Sequence, residues 1–245
     1  MNRLLSIVVI VICALGVGCA ESVEDQVLAQ YKRGEEAIAA MDGAGWRATM
    51  STQSVGWLQE ELRLALDASL TETRALAPSK MEMVLALRNR LDAQSLRSMS
   101  VDSLLTWMIE QDFASVDADY GVYPCGVKFS GDTATVQMGM EVESSSRSPR
   151  LRTGRRGRGV VGGIASLAGA ASKKKNVEPI EGYTLTYVNI DGFWYSDNSE
   201  SMREYDQSIR DAAKEAGVPV DRYLSEREKE AHGSLKPTIW LPVGR

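Results

Sequence analysis

Histidine occurs once and cysteine three times in 245 residues, and these two scarcities remove whole classes of chemistry. Zinc sites need clustered Cys and His, and no such spacing is present. His232 stands alone in Glu230-Ala231-His232-Gly233, the pattern of a last helical turn before a glycine cap, where a cation suits the helix dipole. Cys13 and Cys19 fall within or just after the leading apolar run, so Cys125 has no partner in the body and a disulfide framework is excluded. Without a basic neighbour, Cys125 in Tyr123-Pro124-Cys125-Gly126 reads as a buried, inert thiol rather than a nucleophile. Asp117 and Asp119 offer two carboxylates without the remaining spacing of a calcium loop, and read as a turn between helix and sheet. No motif calls for a cofactor. After the first twenty residues, no apolar run is long enough to cross a bilayer.

What is present begins with the leader. Arg3 gives a positive start, Leu4 to Val17 is almost unbroken in apolar character, and Leu15-Gly16-Val17-Gly18-Cys19 closes it with small residues before a cysteine. Residues 1–18 resemble the signal peptide of a bacterial lipoprotein. Gly16 departs from that pattern, where leucine is usual; here Leu15 sits one place earlier. The resemblance implies cleavage between Gly18 and Cys19, a diacylglycerol on the Cys19 sulfur and an acylated amino terminus, with fatty acids such as palmitate. Ala20, rather than aspartate, after the cysteine resembles the sorting pattern of outer-membrane lipoproteins. The competing readings are a plain secretory signal and an uncleaved anchor, and about 14 apolar residues are short for a membrane span.

The body reads as α+β: N-terminal helices packed on a roughly four-stranded antiparallel meander, then a disordered insertion and C-terminal helices. Ser22, Glu24 and Asp25 start a helix in which Val27, Leu28, Tyr31, Ile38 and Met41 recur at helical spacing. Val55, Leu58, Leu62, Ala65 and Leu66 trace one face of a second helix, with Glu60 and Glu61 expected outside as solvated charges. A third helix follows Pro78, with Met81, Val84, Leu85 and Leu91 near one face, and Ser100 caps a fourth. Trp46, Trp57 and Trp107 are expected to anchor these helices. Ala134, Val136, Met138, Met140 and Val142 alternate as the dry face of a strand. Ser130-Gly131-Asp132 and Asp191-Gly192 mark two hairpin turns, the second joining Tyr183–Ile190 to Phe193-Trp194-Tyr195. The expected layout is one domain in three stretches: 19–143 with helices and first hairpin, the insertion 144–180, and 181–245 with the second hairpin and final helices.

Helices followed by an antiparallel sheet, with Tyr183 to Tyr195 forming an amphipathic hairpin around Asp191-Gly192, resemble the nuclear transport factor two-like superfamily. The resemblance covers chiefly Gly121 to Asp197 and implies a curved sheet packed with helices into a cone. Some members are isomerases or dehydratases using Asp, Tyr or His inside the cone, but no catalytic motif of theirs matches here. Tyr183, Tyr187 and Trp194 are expected as core or rim aromatics.

Between the hairpins lies a basic, glycine-rich stretch. Arg147, Arg150, Arg152, Arg155, Arg156 and Arg158 precede a small apolar run, and Lys173, Lys174 and Lys175 follow it, with no acidic residue among them. The chain as a whole is at net −5. Three readings remain: a solvated loop, a contact of Arg155, Arg156, Arg158 and Lys173 to Lys175 with anionic phospholipid, and a contact with an acidic protein partner. Nucleic acid is not an expected partner, because the stretch lacks interleaved aromatics and belongs to an exported chain. The functional expectation is a lipid-anchored cell-envelope protein, outer membrane favoured over inner, with a non-catalytic α+β module for binding or interaction. The alternative is a cone-fold enzyme acting on a small apolar substrate.

Overall fold

A computed structural model describes residues 21–142 and 177–243. The leader, Cys19 and the basic residues Arg155, Arg156, Arg158, Lys173, Lys174 and Lys175 lie outside the described residues. The architecture is α+β, with helices on both sides of a four-stranded antiparallel sheet in the chain. Helix α1 (Val23–Ala39) starts at Ser22, whose hydroxyl accepts from the Asp25 amide while Asp25 reaches back, satisfying donors that a helix start leaves open. Then come α2 (Gly43–Arg47), α3 (Thr52–Asp67), α4 (Leu70–Arg74), α5 (Pro78–Arg90), α6 (Ala93–Ser98) and α7 (Val101–Glu110). The short α2, α4 and α6 were not anticipated from sequence, since one or two turns carry no measurable period. A 3₁₀ turn (Asp117–Tyr120) leads into the sheet, as the Asp117-Asp119 stretch suggested.

The sheet runs in chain order: β1 (Val122–Ser130), β2 (Thr133–Glu141), β3 (Val177–Ile190) and β4 (Phe193–Asp197). Asp191 and Gly192 both have positive φ, 54° and 88°, the backbone that a two-residue hairpin turn demands. Strand β3 begins at Val177, six residues ahead of Tyr183, so the strand enters the stretch expected to be insertion. Between Pro179 and Thr184 the register with β2 shifts, and the Gln137 amide fills the gap by donating to the Ile180 and Tyr183 carbonyls at 2.9 and 3.1 Å. At Gly139 a Cβ would stand 2.6 Å from the Glu178 carbonyl oxygen, so glycine lets the two strands approach.

Two expectations about the sheet need correcting. Met140 is exposed rather than on the dry face, because β2 runs past the cover that α1 provides over Ala134, Val136 and Met138. Cys125 is exposed rather than buried: the bulge between Pro124 and Gly126 turns its thiol outward on the edge strand, where it donates to the Gln137 carbonyl at 3.3 Å.

Helices α8 (Ser199–Glu215) and α9 (Val220–His232) return the chain to the helical layer, and α9 ends as expected at His232 with Gly233 as a left-handed cap. Helix α5 is the hub. Its segment Met83 to Asn89 is buried continuously, because α3 packs on one side and α8 and α9 on the other. Met83 to Leu87 is apolar on every side, as a helix segment buried all round requires, while buried Arg88 and Asn89 are met by hydrogen-bond partners. The sheet is joined to this layer by backbone bonds, Ser51 N–H to the Ser196 carbonyl at 2.9 Å and Ser196 N–H to the Thr49 carbonyl at 2.8 Å.

Two ionisable groups lie inside the helical layer. Arg88 is 3% exposed and donates to the carbonyls of Leu64, Ala65 and Ala68 at 3.0, 2.7 and 2.6 Å, and to the Thr73 hydroxyl at 3.2 Å. It thus caps the end of α3, where carbonyls are orphaned and the helix dipole favours a cation. Burial lowers its pKa to about 10, still far above neutrality, so the guanidinium stays charged. Glu61 corrects the sequence expectation outright: it is fully buried, and neither carboxyl oxygen has a hydrogen-bond partner. Desolvation raises its pKa well above the ordinary carboxylate value, with Lys80 only partly opposing, so the group is held towards its neutral acid form.

These two residues should respond to mutation with opposite signs. Arg88→Met is expected to lose about 3 kcal/mol or more of stability, since it strands buried carbonyls at the end of α3. Glu61→Met is expected to raise stability at pH 8 by about 1 kcal/mol, by removing a buried carboxyl that nothing satisfies. Urea unfolding of both variants beside the parent protein measures each difference.

Candidate functional site

The main concavity is a cleft of about 940 Å³ between the helical layer and the returning helices α8 and α9. Its apolar wall comes from elements that the core already fixes: Trp46 from α2, Met50 at the sheet junction, Trp57 and Leu58 from α3, Met83 from α5, Met108 from α7 and Phe113 just after it. Methionine and tryptophan together suit ligands of irregular apolar shape, because one adapts and the other gives a flat, stiff surface. Trp46 and Trp57 therefore differ from Trp107, which is buried against Phe113 with ring centroids 5.6 Å apart.

The polar wall is mostly engaged. Glu228 accepts from Asn89 at 2.8 Å and from Arg90 at 2.7 and 3.0 Å, and Arg90 lies over the rings of Phe113 and Trp107. Burial pushes the Glu228 pKa up, but the Arg90 and Asn89 hydrogen bonds and the Arg90 charge outweigh it, leaving a net lowering and a carboxylate at neutral pH. Glu82 pairs with Arg227 at 3.2 Å and accepts from the Tyr205 hydroxyl at 2.7 Å. Asp206 accepts from the Ser79 amide at 2.7 Å, and Asp197 accepts from the amide and hydroxyl of Ser199. Among the described residues, the side chains of Lys80 and Arg203 on this wall form no ion pair or hydrogen bond. The cleft thus combines apolar residues with two cations that form no ion pair or hydrogen bond, of which Lys80 also acts through its charge on Glu60 and Glu61.

A second cluster sits where α1 meets the sheet. Asp117 accepts from the hydroxyls of Tyr183 at 2.8 Å and Tyr31 at 3.3 Å, while its amide donates to Glu35 at 2.8 Å. Burial, and then the neighbouring Asp117 charge, raise the Glu35 pKa to about 7. Burial and the two carboxylates push the hydroxyls of Tyr31, Tyr183 and Tyr187 upward, so all three stay protonated. Tyr187 and Trp194 are core residues, as expected, whereas Tyr183 is tied to Asp117. Glu35 and Asp117 line neither the large cleft nor the smaller groove of about 720 Å³ beside α1.

Sequence reasoning singled out neither Glu35 nor Lys80 nor Arg203. Tyr31 and Glu35 are spaced i, i+4, which places them on one helix face and was a readable signal; their meeting with Asp117 was not. Among the described residues, no group of His, Cys, Asp and Glu is arranged to hold a metal ion, and no helix is long and apolar enough to cross a membrane. Compared with protein-family models, curated proteins and solved structures, the chain matches none of them.

The Glu35 cluster makes stability depend on pH. Native Glu35 keeps its proton up to about 7, whereas its ordinary value is 4.5, so between these pH values the folded state binds more protons than the unfolded state. Its contribution is therefore fully present below pH 4.5 and is lost as pH rises through 7. Glu35→Gln is expected to gain stability relative to the parent protein as pH rises from 4.5 to 8. A difference between their urea midpoints that stays constant over this range would rule the assignment out.

Proposed function

We propose that the mature chain is a lipid-anchored protein of the bacterial cell envelope, outer membrane favoured, whose α+β body holds an amphiphilic ligand without transforming it. The leader and Cys19 support the anchoring. The observation that carries the binding reading is the cleft of about 940 Å³, within the range of small-molecule sites, lined by Trp46, Trp57, Met83, Met108 and Phe113 together with Lys80 and Arg203. An apolar body with an anionic head fits that division. The carboxylates on the wall support binding over catalysis, because Glu82 and Glu228 are tied into ion pairs that hold α9 to α5.

An enzyme of the cone class is the second reading. It draws on Glu35, whose pKa near 7 suits general acid–base work, and on the tyrosine hydroxyls around Asp117. The binding reading has the better support, since Glu35 and Asp117 line neither the cleft of about 940 Å³ nor the groove of about 720 Å³.

Anilinonaphthalene sulfonate, an apolar ring system bearing one sulfonate, is a suitable probe. It is expected to bind saturably with one site per chain in the cleft. Lys80→Gln and Arg203→Gln should each weaken binding about 3- to 10-fold, and Trp57→Ala more, with unchanged circular dichroism. Binding that is absent, or that ignores all three substitutions in folded protein, overturns the cleft as a ligand site.

A further inference from the structure

The hairpin end of the sheet carries large apolar side chains on both of its faces that the fold leaves in solvent. Phe193, Ile190 and Phe129 are 68%, 38% and 46% exposed. They share this end but not one face: Phe129, opposite Ala134, lies on the core-side face with Trp194, while Ile190 and Phe193, opposite each other, lie on the outer face. The β1–β2 and β3–β4 turns lie at the same end, joined by the Asn189 amide donating to the Asp132 carbonyl at 2.7 Å, and the Phe129 ring meets Trp194 edge-on at 5.8 Å. Val23, 50% exposed, lies one helical turn before buried Val27, which packs with Trp194, and so extends the same apolar stripe past the edge of the core.

The start of the described chain is at this same end. Glu21 lines one groove with Gly192, Phe193 and Trp194. Cys19 is two residues before Glu21, and two residues of chain reach at most about 7 Å. A lipid on Cys19 therefore enters its bilayer beside the exposed hairpin and not at another side of the molecule.

Resting on the anchored reading above, we propose that Phe129 and Val23 on one face of the hairpin tip, and Ile190 and Phe193 on the other, form a bilayer-contacting rim that seats the body hairpin-end down on the lipid anchor's own membrane. A single chain end tethers but does not orient. Aromatic and aliphatic side chains that sink to the headgroup and acyl boundary add orientation, because they leave water only when the body stands on that end. The alternative contact, the basic insertion, is rooted elsewhere: Glu141 pairs with Val177 at the opposite end of the sheet, about 27 Å along β2 from the turns. The surface nearest the anchor thus carries exposed apolar side chains beside the carboxylates of Glu21, Asp132 and Asp191, and no basic residue of the insertion is rooted there. This placement leaves the cleft wall of α5, α8 and α9 away from the seated hairpins and open to ligand.

Nitroxide accessibility tests the seating in the full-length protein, purified with its lipid and reconstituted in phosphatidylethanolamine–phosphatidylglycerol vesicles. With Cys125→Ser as background, labels are placed at Asp191→Cys in the turn and at Tyr120→Cys at the far end. The label at 191 is expected to show oxygen contact over that of an aqueous nickel complex by several-fold more than the label at 120. Adding Ile190→Ser and Phe193→Ser should bring the two labels together. Equal water accessibility at both positions, in protein whose intact mass includes acyl chains, overturns the hairpin seating and leaves the anchor standing. An intact mass without acyl chains on Cys19 overturns the anchor, and the seating with it. Strong spin–spin broadening at 191 that persists on dilution in lipid means a second copy covers the face, which also overturns the proposal.

Discussion

The body depends on a cation placed where no carboxylate pairs with it. Arg88 spends its hydrogen bonds on the carbonyls that end α3 and on Thr73 of the next helix. A charge removed from water is costly unless each of its donors is met, and the end of a helix is among the few neutral arrangements that can meet several at once. This requirement fixes the crossing of α5 over the end of α3 and sets the position of α4. Because α5 is the hub, everything packed on it inherits that geometry.

Two further features of α5 extend the frame outward. Arg90 and Asn89 hold Glu228, which pins α9, and the Asn89 side-chain oxygen accepts from the Lys236 amide, which draws in the C-terminal tail. The tail then closes on α3 through the Val243 amide and the Leu66 carbonyl. The cleft is what this frame leaves between α3, α5, α8 and α9. Its apolar wall is a continuation of the core, and its ion pairs are the joints of the frame. Lys80 and Arg203 differ because, among the described residues, they form no ion pair or hydrogen bond, and the recognition role proposed for them rests on that.

Much of the fold was readable. The Ser22 and Asp25 capping residues, the Pro78 start, the Ser100 cap and the Gly233 stop act within a few residues of chain, and each marks an element end in the structure. Asp191-Gly192 was readable for the same reason. The errors were equally physical. Glu61 follows Glu60 and looks like its twin, but neighbouring residues on a helix point about 100° apart; Glu60 meets Arg63 at the surface while Glu61 turns into the core. Cys125 looked buried because a bulge cannot be counted from composition. The candidate site was barely readable, since its residues come from many separate elements and turns whose meeting no local spacing encodes.

Local chemistry settled what the chain alone could settle: helix ends, hairpin turns and the alternation of β2 from Ala134 to Met138, all of which act over a few bonds. Tertiary packing decided the rest, because burial and pairing are properties of elements distant in sequence. It alone hid Glu61, exposed Cys125, brought Glu35 to Asp117 and put Lys80 and Arg203 on the same cleft as Trp57. It also put the exposed Phe193 next to Glu21, 172 positions earlier in the chain, because an antiparallel hairpin and the start of α1 share one end of the sheet.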